Sequence, residues 1–90
     1  MSSWRLRPEG LQWREIGGET VVVDIPESLY LAANPTGTLL WQALAEGASE
    51  ASLSAKLVAA YGIDPDRAVA DVRAFLEALS ERKLVVEVDA

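Results

Sequence analysis

The junction at Asn34-Pro35 constrains the fold of this chain most, because it joins two segments with different hydrophobic periods. Residues 28–33 place apolar side chains at a period of two, which predicts a strand with one buried face. Asn34 is a favourable N-cap, and Pro35 falls at the first helical position, where no backbone donor is needed. A helical apolar pattern around Trp41 follows, and Gly47 is placed to end it in the left-handed conformation. The junction therefore predicts a strand that leads directly into a helix.

Two further strand-like segments precede this one, at residues 11–16 and 19–25. Gly17-Gly18 lies between them and is typical of a tight hairpin, because glycine adopts positive φ without strain. Pro26 cannot donate a hydrogen bond to a neighbouring strand, so it suits a turn into the third strand. Together the segments predict a three-stranded antiparallel meander.

The second half of the chain contains two more helix start signals. Ser49 is a favourable N-cap for a helix that ends at Gly62. Asp64 is the cap of a third helix, which is predicted at about residues 65–82. Two extended segments complete the pattern: residues 4–7, as a short edge strand or an ordered arm, and residues 84–88, as a short strand or tail.

Three strands followed by three helices predict an α+β domain that resembles a winged helix-turn-helix with its sheet moved to the front. Half of the 90 residues are apolar, which is enough for one modest core, so residues 1–90 are interpreted as a single domain. We expect Trp41 in that core, because it lies within a helical apolar pattern. Trp13 lies in a strand, and we expect it at the surface between sheet and helix.

The absence of cysteine and histidine removes most small-enzyme chemistries. Thiol nucleophiles, Ser-His pairs, disulfides and zinc sites built on Cys or His are excluded. A catalytic pair of carboxylates needs a pocket that separates the two pKa values, and nothing in the sequence indicates one. The candidate carboxylates are Asp24, Glu27, Asp64, Asp66 and Asp71. We therefore interpret the protein as a non-enzyme without a metal or cofactor.

The formal net charge of −6 weighs against nucleic acid and anionic membranes as partners, because the surface repels phosphate groups. A winged-helix DNA-binding regulator is an alternative, but the acidic residues of the third helix balance its basic ones. The helix dipole accounts for Arg82 and Lys83 at the end of this helix. No segment is apolar for the length of a membrane span and the N-terminus lacks a signal-peptide core, so we expect a cytoplasmic protein.

The third strand is expected at an edge of the sheet, because it is an outer strand of the three-stranded meander. That edge is open to pairing, since the strand has no lysine or internal proline to block it. An extended peptide can add to such an edge through backbone hydrogen bonds, while side-chain pockets supply sequence preference. If the third helix lies beside the strand, one row of its side chains forms the second wall of a groove: Arg67, Ala70, Asp71, Ala74 and Ala78. Two alternatives stay open, namely that the tail at residues 84–88 covers this edge or that a dimer partner does.

Short motifs spread from about residue 11 to residue 86 carry a resemblance to a known family. They are Tyr30-Leu31-Ala32-Ala33-Asn34-Pro35-Thr36-Gly37, Leu40-Trp41 with Leu44, Glu46-Gly47, Leu53 with Leu57, Tyr61-Gly62, Asp71-Val72, Phe75-Leu76 and Leu79. Together they resemble the PqqD-like family, which contains the precursor-peptide recognition elements of ribosomally made, post-translationally modified peptides. The resemblance implies a fold of three strands and three helices without catalytic activity. It also implies that a precursor's leader binds as an extra antiparallel strand between the third strand and the third helix.

Carried over by position, the resemblance assigns peptide binding to Glu27, Ser28, Leu29, Tyr30 and Leu31 of the strand and to Arg67, Ala70, Asp71, Ala74, Phe75 and Ala78 of the helix. The implied partners are the leader of a precursor peptide and a leader peptidase or other maturation enzyme, which acts on the precursor while it is held. Free-standing members of the family serve lasso-peptide pathways or the pyrroloquinoline quinone pathway. The Tyr-Leu-x-x-Asn-Pro-Thr-Gly run is more similar to the lasso-peptide group.

Overall fold

The computed structural model describes residues 2–26 and 29–89, and this part of the chain contains five strands and three helices. The strands are β1 (Ser2–Leu6), β2 (Leu11–Ile16), β3 (Glu19–Asp24), β4 (Leu29–Ala33) and β5 (Val85–Asp89). The helices are α1 (Pro35–Glu46), α2 (Glu50–Tyr61) and α3 (Pro65–Glu81). The predicted α+β layout, with a three-stranded antiparallel sheet before three helices, is confirmed. No helix in the described ranges is long and apolar enough to cross a membrane.

Strands β2, β3 and β4 form the predicted antiparallel meander, in that order. Gly17 and Gly18 close the β2–β3 hairpin with φ of 60° and 83°, the positive values that a tight two-residue turn requires. On β3, Thr20, Val22 and Asp24 are buried, whereas the alternate residues Val21 and Val23 are more exposed. The hydroxyls of Thr20 and of Thr38 in α1 form a hydrogen bond of 2.8 Å. One face of the sheet therefore packs against the helices.

Strands β1 and β5 form a second, two-stranded antiparallel sheet. Leu6 pairs with Val85, and an isolated backbone bridge joins Trp4 to Ala48, which follows α1. The N-terminal segment is therefore a strand and not an unpaired arm. Because the tail at residues 84–88 pairs with β1, the alternative in which this tail covers the edge of the meander is wrong.

The predicted N-caps explain where the three helices begin. Asn34 accepts a hydrogen bond from the backbone N–H of Gly37 through Oδ1 at 2.8 Å, and Ser49 caps α2 in the same way. Asp64 caps α3 immediately before its first proline. At the other end of α2, Gly62 adopts the predicted left-handed conformation, with φ of 64° and ψ of 26°.

The end of α1 differs from the prediction. Gly47 has a positive φ of 93°, but its ψ is 131°, so the expected left-handed helix end is wrong here. The reason is the bridge that follows: the N–H of Ala48 donates to the carbonyl of Trp4 at 2.8 Å, and the N–H of Trp4 donates back at 2.7 Å. An extended ψ at Gly47 places Ala48 in the orientation that this bridge requires.

A residue with unusual backbone geometry follows the C-cap of α3. Lys83 has a φ of 59°, which is positive although the residue is not glycine. Its N–H donates to the carbonyl of Ser80 at 3.0 Å, and the N–H of Leu84 donates to the carbonyl of Leu79 at 2.9 Å. These two bonds form a Schellman motif, a helix end at which glycine is the favoured residue in the position of Lys83.

Lys83→Gly is expected to raise the free energy of unfolding by about 0.5 to 1 kcal/mol, because relief of left-handed strain outweighs the added freedom of the unfolded chain. Urea denaturation followed by circular dichroism measures the change. Glu81→Gly is the matched control, since it removes a charged side chain from the last helical residue of α3. We expect this control to lower the free energy of unfolding by about 1 kcal/mol. Equal destabilisation by both changes would contradict strain at Lys83.

The core lies between the inner face of the meander and the helices. Trp41 is 1% exposed at the centre of α1, as the helical apolar pattern predicts. Its ring meets Trp13 edge to face, with the ring centroids 5.8 Å apart, while Trp13 is 44% exposed. Both expectations for the tryptophans are confirmed. The other large apolar side chains that are fully buried are Leu40, Leu44, Leu53, Leu57, Leu84, Val22 and Val72.

The ion pair of Arg7 with the buried Asp24, which was not predicted from the sequence, connects three segments. Asp24 is 1% exposed and accepts from Nη2 of Arg7 at 2.6 Å and from Nη1 at 3.2 Å. Arg7 also donates to the carbonyls of Glu9 and Lys83, at 2.8 Å and 3.2 Å. One guanidinium therefore connects the end of β1, the end of β3 and the turn after α3. Asp24 has a structural role in this arrangement.

Candidate functional site

Strand β4 lies at an edge of the meander in the described part of the chain, because it pairs with β3 while β5 pairs with β1. Its register against β3 places Leu29 opposite Asp24 and Ala33 opposite Thr20. One row of backbone donors and acceptors of β4 therefore faces away from β3, where another extended chain can pair. The strand reads LYLAA, so neither a lysine nor a proline opposes such pairing.

Helix α3 runs in the opposite direction to β4. At its C-terminal end, Arg7 donates to the carbonyl of Lys83 and also binds Asp24, which pairs with the first residue of β4. Near its middle, the ring of Phe75 reaches the first turn of α1, because a Cβ added to Gly37 would lie 3.4 Å from Phe75 Cε1. Since only Asn34 separates the last residue of β4 from the start of α1, these contacts orient α3 antiparallel to the strand.

A groove of about 450 Å³ lies between these two elements, and we call it the β4–α3 groove. Its strand side consists of Leu31, Ala32 and Ala33, and its helix side of Asp71, Phe75, Ala78, Leu79 and Arg82. The start of α1 closes one end with Asn34, Thr36 and Gly37, and two buried leucines, Leu40 and Leu57, form the base. Small side chains on both sides leave room for an extended peptide.

One stripe of α3 forms the helical wall of the groove. Asp71, Phe75, Ala78 and Arg82 follow the i, i+4, i+7, i+11 spacing of a single helical face. Phe75 is half-buried and supplies apolar surface, whereas Ala78 is exposed and adds little bulk. The two charged residues are at the ends of the stripe, about 16 Å apart along the helix axis. The wall is therefore apolar in its middle and carries opposite charges at its ends.

The structure brings four of the predicted peptide-binding residues to this groove: Leu31, Asp71, Phe75 and Ala78. Three others are exposed on α3 and do not line the groove, namely Arg67, Ala70 and Ala74. Ala70 and Ala74 lie on the solvent side of the lining stripe, because the helical period turns them away from β4. Arg67 lies one turn before Asp71 on the same helical face and outside the lining of the groove.

The remaining predicted residues belong to β4 or precede it. Tyr30 is 66% exposed and pairs with Val23, so it lies on the outer face of the sheet and not in the groove. This follows from the period of two, which places Tyr30 and Leu31 on opposite faces. Leu29 is the first residue of β4, whose backbone forms the exposed edge. Glu27 and Ser28 lie outside the described residues.

Sequence reasoning missed two parts of the groove. Arg82 lines the groove at the C-cap of α3, whereas the sequence suggested only a partner for the helix dipole. The sequence signal for this position was its spacing of 11 residues from Asp71, which places both residues on one face of a helix. The first turn of α1 is the second missed part, and Gly37 has a packing role there. A Cβ at Gly37 would lie 3.1 Å from the Cβ of Ala33, so glycine allows α1 to begin close against β4.

The groove offers backbone pairing, apolar contact and one charge of each sign. Nε of Arg67 lies 3.9 Å from Oδ2 of Asp71, and both side chains are mostly exposed, so this ion pair is weak. The candidate carboxylates Asp24 and Asp64 lie elsewhere, in the ion pair with Arg7 and in the cap of α3. In the ranges that the structure describes, no cluster of His, Cys, Asp or Glu could hold a metal ion. The arrangement suits binding of an extended peptide better than acid–base chemistry.

Known proteins show the same architecture. A structure described as "TbiB1 in Complex with the TbiA(beta) Leader Peptide" has a TM-score of 0.84 and 23% identity, over 90% of this chain and 93% of that chain. A structure described as "Lasso peptide synthetase B1 complexed with the leader peptide" has a TM-score of 0.81 and 26% identity, over 92% of this chain and 96% of that chain. A search of curated proteins found no match.

The family assignment comes from the sequence. The profile of the family described as "Coenzyme PQQ synthesis protein D (PqqD)" matches residues 19–85. This range begins with β3 and ends with the first residue of β5, so it includes β4, α3 and the groove between them. Because the match extends over most of the 90 residues, the chain belongs to the PqqD family.

Proposed function

We propose that this protein binds the leader segment of a ribosomally made precursor peptide and delivers it to a separate maturation enzyme. The observation that carries this proposal is the β4–α3 groove, in which a strand edge open to pairing runs beside an apolar wall. Similarity to two structures described as leader-peptide complexes supports a leader as the ligand.

The leader adds to β4 as an antiparallel strand, the arrangement in which interstrand hydrogen bonds are slightly more stable. Alternate leader side chains then point into the groove against Leu31 and Phe75, and the others lie on the outer face near Tyr30. Peptide binding in this proposal also includes Glu27, Ser28 and Leu29. Leader side chains that lie outside the groove, at the exposed surface of α3, contact Arg67, Ala70 and Ala74.

The protein acts without catalysis and without a cofactor in this proposal. A leader peptidase or other maturation enzyme performs the chemistry, and the bound leader raises the effective concentration of the precursor beside that enzyme. Residues 1–90 act as one binding domain. Ribosomal synthesis of the precursor takes place in the cytoplasm, and we assign the protein to that compartment.

Two precursor classes are compatible with this role. We favour a lasso-peptide precursor, because one similar structure is a lasso peptide synthetase B1. The family description supports a second candidate, a peptide chaperone for pyrroloquinoline quinone biosynthesis. A DNA-binding role has less support, because exposed acidic side chains of α3, such as Asp71, Glu77 and Glu81, offset its exposed arginines and the chain has a net charge of −6.

A fluorescence-polarisation titration tests the proposal. The probe is a labelled synthetic leader from the precursor gene beside the gene of this protein, with a scrambled peptide of the same composition as control. Labelled leaders of a lasso precursor and of a pyrroloquinoline quinone precursor distinguish the two classes. Saturable binding of one leader and not of its scramble is the expected result. Equal binding of leader and scramble would contradict sequence-specific recognition.

Hydrogen exchange locates the bound leader. We expect saturating leader to slow exchange of the amides of β4 that face away from β3 at least about tenfold, because they become donors in a new strand pair. Amides of β1 and β5 are the internal control, since these strands already pair with each other. Protection spread evenly over both sheets, or absent from β4, would contradict strand addition.

A further inference from the structure

We infer that the β4–α3 groove selects leaders by the order of their charges: a basic residue, an apolar residue two positions later, and an acidic residue two positions after that. The inference rests on the proposed function and names the class of leader that the same groove takes. It starts from the positions of Asp71 and Arg82, which lie at opposite ends of the lining stripe of α3. Phe75 lies between them on that stripe.

Arg82 brings a positive charge to one end of the groove. Within the ranges that the structure describes, no carboxylate lies within salt-bridge distance of Arg82. Asp71, at the other end, has a distant contact with Arg67 at 3.9 Å between two mostly exposed side chains. Such a pair contributes little, so a cation of the leader can replace it or share the carboxylate. Both ends of the groove can therefore accept a charge of opposite sign.

The distance between the two charges slightly exceeds the length of β4. Asp71 and Arg82 are 11 positions apart, which corresponds to about 16 Å along a helix. The five residues of β4 extend over about 13 Å from the first Cα to the last. Phe75 reaches the first turn of α1, so Asp71, one turn before Phe75, lies just past the end of β4. A leader paired along β4 therefore passes Arg82, and its N-terminal part reaches Asp71 just beyond Ala33.

The direction of α3 sets the order of the charges. Because α3 runs antiparallel to β4, a leader that pairs antiparallel to β4 runs parallel to α3. Its N-terminal part then lies beside Asp71 and its C-terminal part beside Arg82. Side chains that point into the groove recur at every second position, so the basic and acidic residues are an even number of positions apart. Four positions cover about 13 Å, and the long arginine side chain closes the remaining distance.

The test compares two peptides of identical composition. The host is the labelled leader from the titration described above, with lysine and glutamate placed four positions apart in the segment that pairs with β4 and a leucine midway. One peptide has lysine first and the other has glutamate first. We expect the lysine-first peptide to bind about tenfold more tightly, since reversal places like charges at both ends of the groove. Raising the salt concentration should reduce the ratio of the two affinities, because salt screens the charges.

Reversing the two charges on the protein tests whether Asp71 and Arg82 are the residues that read the charge order of the peptide. The double variant Asp71→Lys/Arg82→Glu should prefer the glutamate-first peptide by a similar factor. Arg73→Glu is the matched control: Arg73 contacts Glu50 at 3.4 Å and does not line the groove, so the wild-type preference should persist. Circular dichroism melting curves establish that each variant is folded.

The outcomes separate this inference from the proposed function. If the natural leader binds but the two peptides bind equally, or the double variant keeps the wild-type preference, the charge-order inference is wrong and leader binding stands. If neither the natural leader nor either peptide binds the wild-type protein, the proposed function is wrong and the inference fails with it.

Discussion

Ala78→Trp is expected to weaken leader binding about a hundredfold, because the indole ring occupies the space in which leader side chains pack. Ala78 is exposed and lies on the helix side of the groove between Phe75 and Arg82. A leader that loses burial of one large apolar side chain loses about 1.5 to 3 kcal/mol of binding free energy, and the upper part of this range corresponds to a hundredfold. The protein itself should remain folded, since the residue is not part of the core.

Fluorescence polarisation with the labelled leader measures this loss. Glu77→Trp is the matched control, because it adds the same ring at the neighbouring position, which is exposed and does not line the groove. We expect this control to bind the leader within about twofold of the wild type, since surface changes away from a contact cost little. Equal affinity of the two variants would remove the β4–α3 groove from the binding site.

Arg7→Met is expected to lower the free energy of unfolding by about 3 kcal/mol, because it leaves the carboxylate of Asp24 buried without its cation. Asp24 is 1% exposed, so water cannot replace the guanidinium easily. The change also removes the donor to the carbonyl of Lys83, which holds the end of α3 near the start of β4. Urea denaturation measures the loss of stability.

A control and a second variant separate this effect from a general change of charge. Arg5→Met is the control, because Arg5 is an exposed arginine of β1 two positions before Arg7, and we expect a change below about 0.5 kcal/mol. The double variant Arg7→Met/Asp24→Leu should regain most of the lost stability, since a well-packed apolar pair can replace a buried ion pair. If Arg7→Met is no more destabilising than Arg5→Met, the ion pair has no structural role.

The elements of the fold were predicted well because their signals are local. The Gly17-Gly18 hairpin, the caps at Asn34 and Asp64, and the stop at Gly62 each depend on a few adjacent residues. The exception is Gly47, where the backbone follows a bridge to a distant strand rather than the local preference for a left-handed helix end.

The groove was predicted in part. The strand edge and the face of α3 followed from periodicity, and four of the predicted residues line the groove. The rest could not be assigned, because the sequence does not say how α3 is rotated about its own axis relative to β4. That rotation brings Arg82 into the groove and leaves Ala70 and Ala74 at the solvent side.

The sequence by itself determined the type and order of most elements and the burial of Trp41, since caps, turns and hydrophobic periods act over short stretches of chain. Only the tertiary structure decided which strands pair at the ends of the chain and which carboxylate is buried. The pairing of Ser2 with Asp89 and the ion pair of Arg7 with Asp24 join residues far apart in sequence. Such contacts depend on how the elements pack, and that packing leaves the edge of β4 open beside α3.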